Sequence, residues 1–454
     1  MFAAQTIGSE ASLDPARAWE PYVPDRARPW NLRLAGHLLR RAGLGGDWSR
    51  LQQALAEGPQ KTVDRLTHPD AEAFNRRQDQ QEAAALDSDA AGLNEVGQWW
   101  LRRMILTPDP LREKITLFLH GYLGLDGRRA GSQRLVRQHV QLLRTEGKHF
   151  DRLLRALCRD PAALLATRCA QNTAKRVNEY FARALVERFT LGPGRMSGEE
   201  IHEAARALTG AIVLRKRYLF DDRDRDRGTK RILGRSGDFQ ADEVVQMLLA
   251  RPETSQRLAR GLYRWFVSEA GEPAAELLEP LSQDLERDWN LDRVVERILR
   301  SNGFFSAQAY RQRIKSPVEL GVGIVRAMQG LVPTAPLADD LAGLGQRLGQ
   351  TPTSAGWEGG SAWLSPWTLV ARQNLVVALV AGSGRYGDGI DPGRLAERHG
   401  FGKPGGAAGF FSELLLQGDL PAAACDAMRQ VGTTRGDLRR VVQLAIVLPE
   451  YQLD

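Results

Sequence analysis

At 454 residues the chain exceeds the roughly 250–300 at which a single hydrophobic core stops growing, so two packed lobes are expected. Apolar residues make up 43% of it and mean hydropathy is −0.36, values of a water-facing globular protein, and no window approaches the ~20 apolar residues of a membrane span. The net charge of +7 comes from arginines spread along helical patterns with acids interleaved, which argues against the one-sided basic face that nucleic-acid binding needs. Cys158, Cys169 and Cys425 are too few for a disulfide framework and form no CxxC pair; Cys158, inside an apolar helical run, reads as a core residue. The first thirty residues lack a charged stretch followed by an apolar one, so this N-terminus reads as cytoplasmic, unless a misplaced start codon hides an export signal.

Helical signals follow one another along the chain. Apolar spacing predicts helices over Asn31–Ala42 and Asn94–Leu106, with Trp99 and Trp100 diverging by about 100° so that only one ring can point straight into the core. Asp109-Pro110 reads as a cap followed by proline in the first turn; Leu111, Ile115, Phe118 and Leu119 then share a face, and Gly121 is the expected stop. Further helices fit Gln133–Arg144, a second Asp-Pro start at Asp160, and Asn178–Phe189. Ser197 and Ser316, each followed three residues on by glutamate, open capping-box helices ending at Gly210 and Gly330. Ala241–Leu249, Glu253–Ser268, Leu291–Ser301, Phe410–Leu416 and Leu438–Val447 complete the set. Expected breaks are the polar stretch Asp79–Gly92, the Asp/Arg run at 221–227, Val332–Asp339, and the Gly-rich pieces 381–393 and 402–409. Alternating strand patterns bounded by turn dipeptides are nearly absent. The expected fold is all-α, a multi-helix globular array without a substantial sheet. A tail over 1–30, a main lobe over 31–330 and a C-terminal lobe over 331–454 divide it.

Several segments, taken together, resemble one bacterial family. His37 to Gly45 is similar to its "HLLRRAGFG"; Pro110 to Lys114 with Phe118 to Gly121 resembles "PLREKMTLFWHGHF"; Asn178 to Gly192 resembles "NENYARELMELFTLG". Glu203 to Gly210 matches "EAARALTG", Lys230 to Gly234 resembles "KTILG", and Lys315 to Glu319 matches "KSPVE". Ala355 to Gly360 with Trp363 resembles "AGWPGG..W", and Pro449 to Gln452 resembles "PEFQ". The collinear set, from about residue 31 to the end, resembles the domain of unknown function 1800 family. That resemblance implies a protein that is commonly exported and often encoded beside proteins of the domain of unknown function 1501 type, which would be the partner. The chain also departs from the pattern. Thr167-Arg168-Cys169 stands where the family reads "LDN", Tyr180 replaces the second Asn of "NEN", Ala184 the Glu of "ARE", and Arg225 the His of "HDxGxK". Four polar or metal-capable positions are changed together.

The candidate chemistry concentrates in the same region. Glu179, Arg183 and Glu187 fall at i, i+4 and i+8, either a solvated ladder or part of a buried polar site shared with Glu203, Arg206 and Asp226. His120, at the predicted helix end, would be favoured as imidazolium by the dipole; His37, His120 and His202 show no ligand spacing and read as structural rather than metal-binding. Residues 221–227 place arginines among the acids, so a self-paired loop is expected there in place of a calcium loop. Trp357 and Trp363, flanking Gly359-Gly360, read as loop anchors or as a stacking platform for a ligand, with Lys230 a further candidate contact. No metal or cofactor motif appears. The leading expectation is a protein-interaction or scaffold role for a divergent, degenerate family member. The alternative is a hydrolase using Glu179, Glu203, Asp226 and His120, with Arg183 and Arg206 holding an anion.

Overall fold

The computed structural model describes residues 14–85, 94–353, 355–403, 406–435 and 437–454. These are mostly helical, with two small antiparallel sheets, as expected from the scarcity of strand patterns. The helix starts read from the sequence form as anticipated. Asp109 accepts from the Arg112 amide, Asp160 from the Ala162 and Ala163 amides, and Ser197–Glu200 and Ser316–Glu319 close reciprocal capping boxes. Each satisfies amides that the first helical turn leaves unpaired.

Four boundaries differ. The Pro110–Leu123 helix continues through Gly121 and ends at Gly124, in the left-handed region at φ 61°. A loop packs closely on this turn and needs its own glycine: a Cβ on Gly356 would lie 1.9 Å from the Gly121 carbonyl oxygen, whereas one on Gly121 would meet the Trp357 ring at an ordinary 3.4 Å. The expected break at Val332–Asp339 is largely the helix Thr334–Gly343, which packs on Asn94–Leu106; burial of Leu337 and Leu341 outweighs the local Pro and Asp signals. The Gly406–Leu416 helix begins inside the Gly-rich stretch because Ala407 and Ala408 are buried. Glu72–Ala85 stays helical into the polar stretch, whose residues 86–93 lie outside the described ones.

The sheets are the other difference. Ala211–Leu214 and Arg217–Phe220 form a hairpin, with Gln171–Asn172 as third strand, and Lys230–Ile232 pairs with Arg235–Gly237. Their two-residue turns use Arg215-Lys216 (φ 49° and 62°) and Leu233-Gly234 (φ 50° and 76°). Such turns need positive φ at both central residues and usually recruit Asn-Gly, so neither carries the dipeptide that marks a hairpin in a sequence.

One continuous core runs from Ala18 to Tyr451. Inside it lie buried ion pairs built from the family-like segments. Glu113 receives Arg103 Nε at 2.9 Å, Arg144 Nε and Nη2 at 2.7 and 2.9 Å, and the Trp100 indole N–H at 2.8 Å. Trp100 is thus the ring of the Trp99-Trp100 pair that enters the core, while Trp99 lies against Arg137 and Arg144. The neighbouring Lys114 points to a second cluster, where Glu319 accepts from Lys114, from Arg313 at 2.5 Å and from the Ser316 amide at 2.8 Å. Asp454 closes that cluster at 3.8 Å from Lys114 and 3.6 Å from Arg313. Arg41 is also buried and donates to the carbonyls of Val267 and Ala309, both at 2.8 Å. The conspicuous charges of these segments therefore hold helices together in the interior.

Candidate functional site

The six residues of the sequence-derived cluster fall into three places. Arg183 bridges Glu179 at 3.3 Å and Glu187 at 3.0 Å, and Glu179 also meets His202 Nδ1 at 2.9 Å, forming a half-exposed ladder. Arg206 forms the second network, gripping Asp226 with Nε and Nη2 at 2.8 and 3.0 Å and Glu203 at 2.9 Å. Burial opposes ionisation of Glu203, but hydrogen bonds from Arg206 and the Arg231 amide outweigh it and hold the carboxyl below its ordinary range. Asp226 is held low chiefly by Arg206. Lys230, a candidate ligand contact, is buried here, donating to the Asp226 carbonyl and to Asp238 at 2.6 Å. Arg225 meets the same Asp238 at 2.6 Å. The expected self-pairing of residues 221–227 holds for Asp221–Arg223 and Asp222–Arg227, while Asp226 turns inward.

His120 belongs to neither network. It lies fully buried among Trp100, Trp357 and His139, with ring centroids 5.4, 5.3 and 6.4 Å away. Because the helix runs on to Leu123, the imidazolium expected at its end is replaced by a neutral ring: burial, aided by His139, pushes its pKa down to about 3. The unfolded chain takes up this proton near pH 6.5, so the folded state loses relative stability as pH falls below that value. His120→Phe is expected to remove this contribution, so that between pH 7 and pH 5 the wild type loses about 2 kcal/mol more than the variant in urea unfolding. Equal losses would mean that His120 takes up its proton as readily in the folded protein as in the unfolded chain. His37 lies elsewhere, against Phe304, and His202 against Glu179, so the three histidines do not converge. Among the described residues no group of three or more His, Cys, Asp and Glu could hold a metal ion.

A different constellation surrounds a cavity of about 420 Å³. It lies between the end of the Pro110–Leu123 helix, the Gln133–Glu146 and Pro161–Ala166 helices, and a rare π-helical turn, Ala184–Phe189, that continues Tyr180–Arg183. The Thr190 hydroxyl donates to the carbonyls of Leu185 and Val186 at 2.8 and 3.1 Å, satisfying acceptors at the end of the widened turn. π turns inside helices are often found at functional sites. His139 lines the cavity, with Nδ1 2.5 Å from Asp160, the cap of Pro161–Ala166. Arg129, Arg168, Arg183 and Arg188 surround it. Of the predicted site residues only Arg183 lines this cavity; Glu179 joins Arg183 in a shallower one beside it, and neither is lined by Glu203, Arg206, Asp226 or His120. Thr167, Arg168, Tyr180 and Ala184, positions where the sequence departs from the family pattern, all line the cavity beside the π turn. His139 carries no motif, Arg188 lies within the Asn178–Gly192 segment at a position not singled out there, and Asp160 is visible in the sequence only as a cap; tertiary packing alone brings the three together.

Two surfaces remain. Trp363 is buried and Trp357 half-buried with its ring on His120, so both anchor their loop. The Pro366–Val380 helix behaves differently. Its outer face presents Trp367, 75% exposed, and Val370, 53% exposed, with Leu369, Gln373, Asn374 and Val377. It has no exposed charge: the helix's one ionisable residue, Arg372, is buried and donates to the Lys315 carbonyl at 2.7 Å.

Fold and site define a mostly helical protein framed by buried ion pairs, with an arginine-rimmed cavity at a π turn and one uncharged helix face. Residues 37–453 match the family model described as Protein of unknown function (DUF1800), and the chain belongs to that family. No curated protein and no solved structure matches it. Among the described residues no helix is long and apolar enough to cross a membrane.

Proposed function

We propose that the chain is a binding member of its family, which docks a protein partner through the outer face of the Pro366–Val380 helix and does not catalyse a reaction at its carboxylate cluster. The uncharged face carries this reading. In a chain of 26% charged residues, an exposed helix surface of Trp, Leu, Val, Gln and Asn departs sharply from the norm. Contiguous apolar patches mark interaction sites, and charge depletion with an exposed tryptophan characterises the centre of a protein interface. The complementary surface must itself be uncharged, since a buried unpaired charge there would cost several kcal/mol. A protein of the domain of unknown function 1501 type is the partner that the family resemblance suggests.

The commitment of the carboxylates points the same way. Glu203 and Asp226 are held low by Arg206, so neither is poised to act as a general acid near neutral pH, and the hydrolase reading would require these pairs to open. Photocrosslinking in the native host, from a photoreactive residue at position 370, should give one adduct of discrete mass. The exposed Gln283, on another helix, should give none. An adduct of twice the chain's mass would reassign the face to a second copy, and absence of any adduct would remove the proposed interface.

A further inference from the structure

We infer that the cavity beside the π turn binds a small organic anion with an apolar body, an aryl or branched-chain carboxylate. A volume of about 420 Å³ falls within the range of small-molecule sites and equals the share of about fourteen liquid waters at ~30 Å³ each, too large for a bare inorganic ion. Leu125, Leu157, Ala163 and Phe189 give the walls an apolar part suited to a hydrocarbon body.

The charges around it are unbalanced. Four arginines face two carboxylates, Asp126 and Glu187. Arg183 is already held by Glu179 and Glu187, and Arg129 lies 3.8 Å from Asp126. Arg188 and Arg168 have no carboxylate partner among the described residues. Arg188 donates only to the carbonyls of Leu123 and Gly124, at 2.6 and 2.7 Å, and its Nε is buried without a partner. The Arg168 side chain is exposed and unpaired, and its backbone sits at φ 58°, a left-handed conformation that costs a non-glycine residue of order 1 kcal/mol. Asn178 holds it there by donating to the Arg168 carbonyl at 2.8 Å. An unpaired guanidinium carried at a cavity rim is suited to bidentate recognition of a carboxylate.

A second, independent feature lies in the wall. His139 is 1% exposed; Asp160 holds its Nδ1, and its Nε2 has no hydrogen-bond partner among the described residues. Buried polar atoms are nearly always satisfied, and with Nδ1 directed at Asp160, Nε2 is left to accept from a water whose other proton is donated to the ligand carboxylate. This inference stands apart from the docking face, which lies on another helix.

The test is calorimetric titration of the purified full chain with phenylacetate, isovalerate and the neutral phenylacetamide. Each carboxylate should bind saturably in the millimolar range or tighter, and phenylacetamide at least about tenfold more weakly than phenylacetate. Arg168→Gly relieves the left-handed strain, so it should fold while weakening phenylacetate about tenfold. Arg215→Gly removes an exposed left-handed arginine from a hairpin turn that does not line the cavity and should leave the affinity unchanged. Absence of saturable binding by both carboxylates, equal binding of the amide, or equal behaviour of the two variants would each overturn the assignment.

Discussion

Glu319→Gln is expected to lower the unfolding free energy by about 3–5 kcal/mol, the usual cost of leaving a buried ion without its counter-charge. Burial alone would push the Glu319 carboxyl up, yet Arg313 and Lys114 outweigh it and hold the pKa well below the ordinary value. Its stabilising contribution is therefore present above the carboxyl's unfolded pKa and is lost as pH falls through the folded one. Glutamine retains the shape but leaves the Lys114 ammonium and the Arg313 guanidinium with only Asp454 and Glu269 close by. Glutamine also weakens the return bond to the Ser316 amide that completes the capping box of the Pro317–Ala327 helix. Urea unfolding followed by circular dichroism measures the effect. A loss below about 1 kcal/mol would mean that the cluster is hydrated and does not join these helices. Pairing Glu319→Gln with Lys114→Met should recover part of the loss, because the second change removes a charge that the first left exposed to the apolar interior.

Glu113→Gln is the second large effect, again about 3–5 kcal/mol. Glu113 is the shared acceptor of two guanidiniums, Arg103 from the Asn94–Leu106 helix and Arg144 from Gln133–Glu146, so one carboxylate sets the spacing of three helices. The amide oxygen of glutamine can still accept from the Trp100 indole, but its NH₂ group faces a guanidinium. The midpoint of urea unfolding should fall, with the slope of the transition preserved. The near-ultraviolet circular dichroism should change as Trp100 loses a fixed environment. An unchanged midpoint would show that Arg103 and Arg144 find equivalent partners elsewhere.

These two clusters also explain which parts of the architecture are readable from the chain. The PLREK and KSPVE segments stand out in the sequence because they combine helix starts with charge, and in the fold those charges are interior: Lys114 meets Glu319 across 205 positions. Helices with regular apolar spacing, such as Asn94–Leu106 and Ala241–Leu249, have the boundaries their spacing predicts. The failures occur where long-range packing overrides local signals. Gly121 resembles a helix stop, but the helix runs past it to Gly124, and the Gly356–Trp357 loop packs against it. The Arg215-Lys216 turn adopts a geometry that its residue types do not announce.

The site divides in the same way. The ladder Glu179–Arg183–Glu187 is legible because its members are helical neighbours, and the grip of Arg206 on Glu203 because they lie three residues apart. Asp226 joins Arg206 from a loop twenty positions away, a contact that no helical spacing announces. The His139–Asp160 pair, by contrast, joins an unremarked helical histidine to a residue legible only as a cap. The departures from the family pattern gain meaning only in space, where Thr167, Arg168, Tyr180 and Ala184 share one cavity while the buried ion pairs of the frame are kept.

A retained frame with altered functional surfaces is the central claim, and recovery of a partner with and without the uncharged helix face tests it most directly. Tagged wild type and the double variant Trp367→Arg, Val370→Asp would be purified from the native host after nuclease treatment. Both changes lie on the solvent side of the Pro366–Val380 helix and should leave the unfolding free energy within about 0.5 kcal/mol of the wild type. The account predicts one stoichiometric protein partner with the wild type and its loss with the equally stable variant. A partner retained by the variant, or a wild type that emerges alone as a monomer, would contradict it.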